Sequence, residues 1–198
     1  MNILDKIIAD KYKEVALRKQ LIPVKQLEQS VLFERKSPSL AQALSTSTSG
    51  IIAEHKRRSP SKATINNNLN VQDVASGYEQ AGVCGMSVLT DGKYFGGSLD
   101  DLLLARAAAQ LPLLRKEFVI DTYQILEAKA YGADVILLIA AVLTREEIKT
   151  LSEFAKSLGL DVLLEVHNLE ELQKSVMPSL DMLGVNNRNL KTFEVSLE

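Results

Sequence analysis

Five residues of proton-handling or strong hydrogen-bonding type sit where short apolar runs end. Glu54 and Lys56 follow the run from Gly50, Lys116 closes Leu113–Lys116, Glu165 closes Asp161–Glu165, and Asn186 follows Leu180–Val185. Thr90 and Asp91 follow the run Gly85–Leu89 in the same way. Ammonium and carboxylate groups are the parts general acid–base catalysis requires. One such residue alone reads as a structural ion pair or a solvated rim. The set together reads as a site, provided the fold gathers residues so far apart in sequence around one opening.

The other polar candidates read differently. Side chains alternate along a strand, so Ile52, Glu54 and Lys56 share one face and Ala53 and His55 the other. His55 is therefore expected among helices, packed, with one ring nitrogen satisfied. His167 falls in a loop past Glu165 and is expected in solvent. Cys84 opens a strand at the end away from the site and reads as a small buried hydrophobe. Lys56-Arg57-Arg58, followed by Ser59-Pro60-Ser61-Lys62, reads as a solvated loop or as a lure for an anionic substrate.

The positioning elements follow from punctuation. Helices are expected from Asn70 to Gly82, from Ser98 with Asp101 three residues on, and from Asp121 with Gln124 to Gly132. Two more run from Thr144 with Glu147 to Gly159, and from Asn168 with Glu171 to Pro178. Each start offers a side-chain oxygen to the first helical N–H groups, and the terminal glycines allow the left-handed turn that ends a helix. Between them lie runs of strand length: Gly50–Glu54, Gly85–Leu89, Leu113–Lys116, Asp134–Ile139, Asp161–Glu165 and Leu180–Val185. Several are almost wholly apolar, as strands buried on both faces are. Strict alternation predicts a parallel α/β sheet with right-handed crossovers. No G-x-G-x-x-G follows the first strand, and polar residues collect at strand ends, so a barrel is favoured over an open doubly wound sheet. Upstream, Ile3, Leu4, Ile7, Ile8 and Val15 mark an amphipathic helix capped by Asn2, and Leu40–Leu44 a second short one. Residues 1–48 thus form a helical extension, a lid or plug, within a single domain spanning 1–198.

Composition bounds the function. Of 198 residues 46% are hydrophobic and 24% charged, enough for a core and against disorder. The net charge of −2 disfavours a nucleic-acid binder. One cysteine and two histidines argue against a disulfide framework and against a metal site. The longest apolar run, Val135–Leu143, is too short to span a bilayer, and the charged N-terminus does not resemble a signal peptide. A soluble cytoplasmic protein with no membrane partner is expected.

Six segments in register resemble the indole-3-glycerol phosphate synthase family. They are Ile51-Ile-Ala-Glu-His-Lys-Arg-Arg-Ser-Pro-Ser-Lys62; Ser87-Val-Leu-Thr-Asp91 with Tyr94-Phe-Gly-Gly-Ser98; Leu113-Leu-Arg-Lys-Glu-Phe118 with Ile120–Ile125; Gly132–Ala140; Leu164-Glu-Val-His167; and Leu183-Gly-Val-Asn-Asn-Arg-Asn-Leu190 with Thr192-Phe193. Ile3–Ile8 resembles the family's extra N-terminal helix. The resemblance implies a (β/α)8 TIM barrel that converts 1-(2-carboxyphenylamino)-1-deoxyribulose 5-phosphate to indole-3-glycerol phosphate, releasing carbon dioxide and water. It implies a phosphorylated small-molecule substrate, no metal or organic cofactor, and a monomer. Lys116 becomes the general acid at the substrate ketone, and Lys56 the partner of its anionic groups. Glu165 becomes the base or the counter-charge to the developing cation. Glu54 and Asn186 orient these groups, and Ser59, Phe95 and Arg188 line the pocket.

Departures from that family are expected to matter. His55 replaces an aliphatic or aromatic residue, Ala63 a glycine, and Glu117 an aspartate beside Lys116, where a supporting ion pair is expected to shift. The sequence ends at Glu198 after about six strand–helix units, without the family's phosphate-binding Glu-Ser-Gly turn and later glycine-rich loop, whereas such barrels run to about 250 residues. Strands one and six are then open edges, and a C-terminally incomplete barrel is expected to fold weakly or self-associate and to turn over little substrate. The competing readings are a non-catalytic binding or assembly module and a related sugar-phosphate isomerase such as phosphoribosylanthranilate isomerase, which would be expected to use a cysteine–aspartate pair.

Overall fold

The structure, a computed structural model, describes residues 3–66 and 68–188. The Asn2 cap and the part of the sixth motif beyond Arg188 lie outside them. Six parallel strands form one sheet: β1 (Ile52–His55), β2 (Gly85–Leu89), β3 (Leu113–Lys116), β4 (Val135–Ile139), β5 (Asp161–Val166) and β6 (Met182–Val185). Their spatial order is the sequence order, β1 to β6. A doubly wound sheet reverses direction at a switch point, and this one does not. Steady progression with parallel pairing is the wall of a barrel, here six strands of it.

The helices after each strand start where the sequence placed them. Asn70, Ser98, Asp121, Thr144 and Asn168 each accept a backbone N–H at the start of α4 (Val71–Gln80), α6 (Leu99–Ala108), α7 (Thr122–Ala130), α8 (Arg145–Ser157) and α9 (Leu169–Ser175). Asp121–Gln124 and Thr144–Glu147 form full capping boxes. Gly82, Gly132 and Gly159, with φ of 74°, 87° and 72°, take the left-handed turn. Two short helices were not expected. They are α2 (Val24–Glu28), opened by Pro23, and α5 (Gly92–Phe95), capped by Asp91.

Alternation divides the core in two. On one face Met86, Val88, Leu113, Ile136, Leu138, Val162 and Leu164 pack beneath α4, α6 and α8. On the other, Leu114, Val135, Leu137 and Ile139 pack together with Ile52, Leu163 and Met182. This second face is the barrel interior. Two residues along the strand lead from Ile52 to Glu54, Leu114 to Lys116 and Leu163 to Glu165, and four lead from Met182 to Asn186. The same alternation that builds the apolar interior therefore delivers the polar residues to its rim.

The extension acts as both a plug and a lid. Helix α3 (Leu40–Thr46) buries Leu40 against Cys84, Val135 and Leu137 at the start of the strands, and Ser39 and the Ala41 N–H bond Asp161. Helix α1 (Ile3–Leu21) instead spans from α7 to the opposite rim. Arg18 Nε meets Glu127 at 2.5 Å, and Tyr123 Oη donates to the Arg18 and Ile22 carbonyls. β1 and β6 each have one paired side among the described residues, and Leu183 and Val185 are exposed on the outer face of β6.

Candidate active site

A cavity of about 470 Å³ opens at the C-terminal ends of the strands. Its walls include Lys56, Ser59, Phe95, Lys116, Glu165, Asn186 and Arg188, with Ile3, Leu4 and Ile7 of α1 across the opening. Glu54 is absent from this wall and lines an adjoining recess of about 60 Å³ shared with Lys56, Phe95 and Lys116. Seven of the eight residues singled out from the sequence thus border the cavity, and Glu54 borders the recess beside it.

Two charge pairs organise it. Lys56 Nζ lies 2.8 Å from Glu54, whose other oxygen accepts from Ser87 Oγ at 3.0 Å, its register partner on β2. Lys116 Nζ lies 3.1 Å from Glu165 Oε2, reaching past β4 to do so. Asn186 Nδ2 donates to Glu165 Oε1 at 3.1 Å. Burial pushes the Glu165 carboxyl up, yet the Lys116 ammonium and the Asn186 amide bring it net below the ordinary carboxylate value. Glu165 therefore rests ionised. Phe95 and Phe118, with centroids 6.0 Å apart, give one side an aromatic surface.

The basic run divides its work. Lys56 faces the cavity, but Arg57 forks onto Asp101 at 2.5 and 2.8 Å and Arg58 bonds the Gly92 and Lys93 carbonyls. Neither a plain solvated loop nor a free anion lure describes these two arginines. They tie the loop after β1 to the loop after β2. That second loop sits directly on its strand, since a Cβ on Gly97 would lie 2.0 Å from the Leu89 carbonyl oxygen. Between Arg57 and the cavity, Ser59 and Lys62 close a turn through reciprocal backbone bonds of 2.9 and 3.0 Å.

The two histidines fare differently. His55 is buried on the helix side, but its Nε2 has no hydrogen-bond partner. Burial and the neighbouring Arg57 hold it below the ordinary imidazole value, so it stays neutral. His167 is not in solvent. Its side chain is 9% exposed and lies between Glu165 Oε1 at 3.6 Å and Glu171 Oε2 at 3.2 Å. Glu171, four residues on in the first turn of α9, bonds both the His167 backbone N–H and its ring, a local contact that the loop placement of His167 overlooked.

Lys11 was missed altogether. It projects from α1 at 2% exposure and meets Glu14 at 2.8 Å, Asp91 at 3.0 Å and Glu117 at 3.1 Å. Burial lowers its affinity for a proton, but Glu117 and Asp91 hold it well above the ordinary lysine value. Glu117 in turn is held below the ordinary carboxylate value, against its burial, by Lys11 and Arg115. This is the ion pair expected beside Lys116, and it joins the lid helix to the ends of β2 and β3. The sequence did carry a signal: Ile7, Lys11 and Val15 are four apart, so the lysine shares the buried stripe.

Cys84 lies at the far end of β2 against the plug, so no cysteine–aspartate pair forms at this rim. Among the described residues no cluster of three His, Cys, Asp or Glu side chains converges as a metal site, and no helix is long and apolar enough to cross a membrane.

The profile of the indole-3-glycerol phosphate synthase family matches residues 4–198. The indole-3-glycerol phosphate synthase of Bacteroides thetaiotaomicron is 48% identical over 197 residues, covering 100% of this chain and 75% of that protein. Its counterpart from Dechloromonas aromatica is 45% identical over 100% of this chain and 77% of its own length. The one from Bacillus cereus is 46% identical over 99% and 74%.

Proposed function

The chain belongs to the indole-3-glycerol phosphate synthase family, carboxy-lyases of tryptophan biosynthesis, and from that premise we propose how its residues close the indole ring. The substrate's carboxylated ring lies against Phe95 and Phe118, with its carboxylate toward Lys56. The ring carbon bearing the carboxylate attacks the ketone carbon, and Lys116 Nζ gives its proton to the ketone oxygen. That ammonium stabilises the developing alkoxide and then neutralises it. The C–CO2 bond breaks next, and its electron pair restores the aromatic ring. Finally Lys56 Nζ gives a proton to the new hydroxyl, which leaves as water, while Glu165 takes a proton from the methylene carbon beside nitrogen.

Glu54 and Asn186 act one step back. Glu54 holds Lys56 at 2.8 Å, and Asn186 holds the Glu165 carboxylate at 3.1 Å. Ser59 and Arg188 border the outer cavity, where the phosphorylated tail extends. A cytoplasmic, single-domain enzyme without a metal or organic cofactor fits this chemistry.

One observation carries the reading: an ammonium and an ionised carboxylate 3.1 Å apart on the wall of a cavity with an aromatic side. Such a pair supplies both an acid and a base once substrate enters between them. The test is turnover of carboxyphenylamino-deoxyribulose phosphate by the 198-residue chain, followed by indole fluorescence, with Lys116→Ala as control. Turnover abolished by that change, with an unaltered circular dichroism spectrum, is the expected result. Near-normal turnover in Lys116→Ala refutes the assignment.

A further inference from the structure

Glu165 has a polar neighbour that none of the assigned roles uses. His167 follows it by two residues and stands with Nε2 3.6 Å from Glu165 Oε1. On the other side of the ring, Nδ1 lies 3.2 Å from Glu171 Oε2. That glutamate is itself fixed: it accepts the His167 backbone N–H at 2.9 Å and Asn168 Nδ2 at 3.0 Å, and its own N–H donates to Asn168 Oδ1 at 2.8 Å. Carboxylates face the imidazole from β5 and from α9, and Lys116 and Asn186 each bond the Glu165 carboxylate.

We propose that Glu171, His167 and Glu165 form a relay in which His167 receives the proton that Glu165 collects during ring closure. The inference rests on the role given to Glu165 above. Glu171 is the acceptor that draws hydrogen to Nδ1, which leaves the lone pair on Nε2 in the neutral ring. Nε2 is buried and has no hydrogen-bond partner in the resting protein. That is the expected state of a lone pair facing an ionised carboxylate: two acceptors, no hydrogen between them, and a gap of 3.6 Å. Protonation of Glu165 supplies the missing hydrogen. The proton passes from Glu165 Oε1 to Nε2, Glu165 returns to its carboxylate form, and the imidazole becomes imidazolium with Nδ1–H still on Glu171. The direction is favourable because a carboxyl is ordinarily more acidic than an imidazolium, and Lys116 and Asn186 make this one more acidic still.

Two measurements test the relay. The first needs no turnover. Nitrogen NMR of the histidine-labelled chain contains only His55 and His167, and His167→Gln assigns them. The neutral His167 ring is expected as the Nδ1–H tautomer, and Glu171→Gln is expected to mix the tautomers. A predominantly Nε2–H ring in the unaltered chain overturns the proposal. The second is kinetic. His167→Gln is expected to lower kcat by about a hundredfold with KM little changed, the low end for a proton-transfer group. The alkaline and acid limbs of its pH profile should also move, which a purely structural role does not require. Glu171→Gln should have a similar effect, and the double variant no larger one. If Glu165→Gln abolishes turnover while His167→Gln leaves kcat intact, the relay fails and the Glu165 assignment stands. If Glu165→Gln retains full turnover, the assignment beneath the relay fails as well.

Discussion

Replacing Lys11 with methionine should destabilise the protein severely, although the residue is one charged side chain on an N-terminal helix. Its ammonium is buried among Glu14, Asp91 and Glu117. Methionine matches the length but leaves two buried carboxylates short of a counter-charge. Breaking a buried pair from one side costs about 3–5 kcal/mol. The lower end applies here, because Glu117 keeps Thr90 at 2.8 Å and the Phe118 N–H at 2.9 Å, and Asp91 keeps the Tyr94 N–H at 2.7 Å. For a chain of this size a loss of about 3 kcal/mol lowers Tm by about 6–12 °C. The assay is urea unfolding followed by circular dichroism across pH. Glu117 is held below its ordinary value of 4.5, so its contribution is present above that pH and is lost as pH falls through the lowered value. The variant's deficit should therefore be full near pH 7 and shrink toward pH 3, and adding Glu117→Gln should recover part of it. A deficit under about 1 kcal/mol at pH 7, or one independent of pH, refutes this account of how the lid is held.

Three further outcomes follow from the same geometry. Gly97→Ala drives a Cβ to within 2.0 Å of the Leu89 carbonyl oxygen; the loop carrying Phe95 must shift, with a loss of about 1–3 kcal/mol by thermal melting and a raised KM. Arg57→Ala removes the fork on Asp101 and frees the turn holding Ser59, so KM should rise severalfold while kcat at saturation changes less. Ser39→Ala removes both the α3 cap and a bond to Asp161; a stability loss of about 1–2 kcal/mol with unchanged KM is expected, measured by urea unfolding.

Much of this architecture was legible because it is local. Caps three residues ahead of a glutamate or glutamine and period-two apolar runs are decided within a few residues, and α7, α8, β2 and β3 fell where those signals placed them. Glu54 was legible for the same reason, since parity along a strand assigns the face, and Lys116 and Glu165 because each closes an apolar run. What escaped was mostly short or non-local. Helix α5 has four residues, too few for periodicity, though Asp91 and the left-handed Gly96 bracket it. His167 was misplaced despite a partner only four residues away, because the Asn168–Glu171 capping pattern marks a helix start and does not say which way the residue before the cap turns. Arg57 looked like part of a charge run because Asp101 stands 44 positions away.

Lys11 also has a consequence for how α1 finds its place. A helix that docks through an unbroken apolar stripe can slip by one turn, about 5.4 Å, with little change in what it buries. Here the stripe reads Ile7, Lys11, Val15. A slip in either direction sets an isoleucine or valine against Asp91 and Glu117 and strands the ammonium among apolar neighbours. The lysine thus acts as a register key, and only the in-register helix sets Ile3, Leu4 and Ile7 over the cavity.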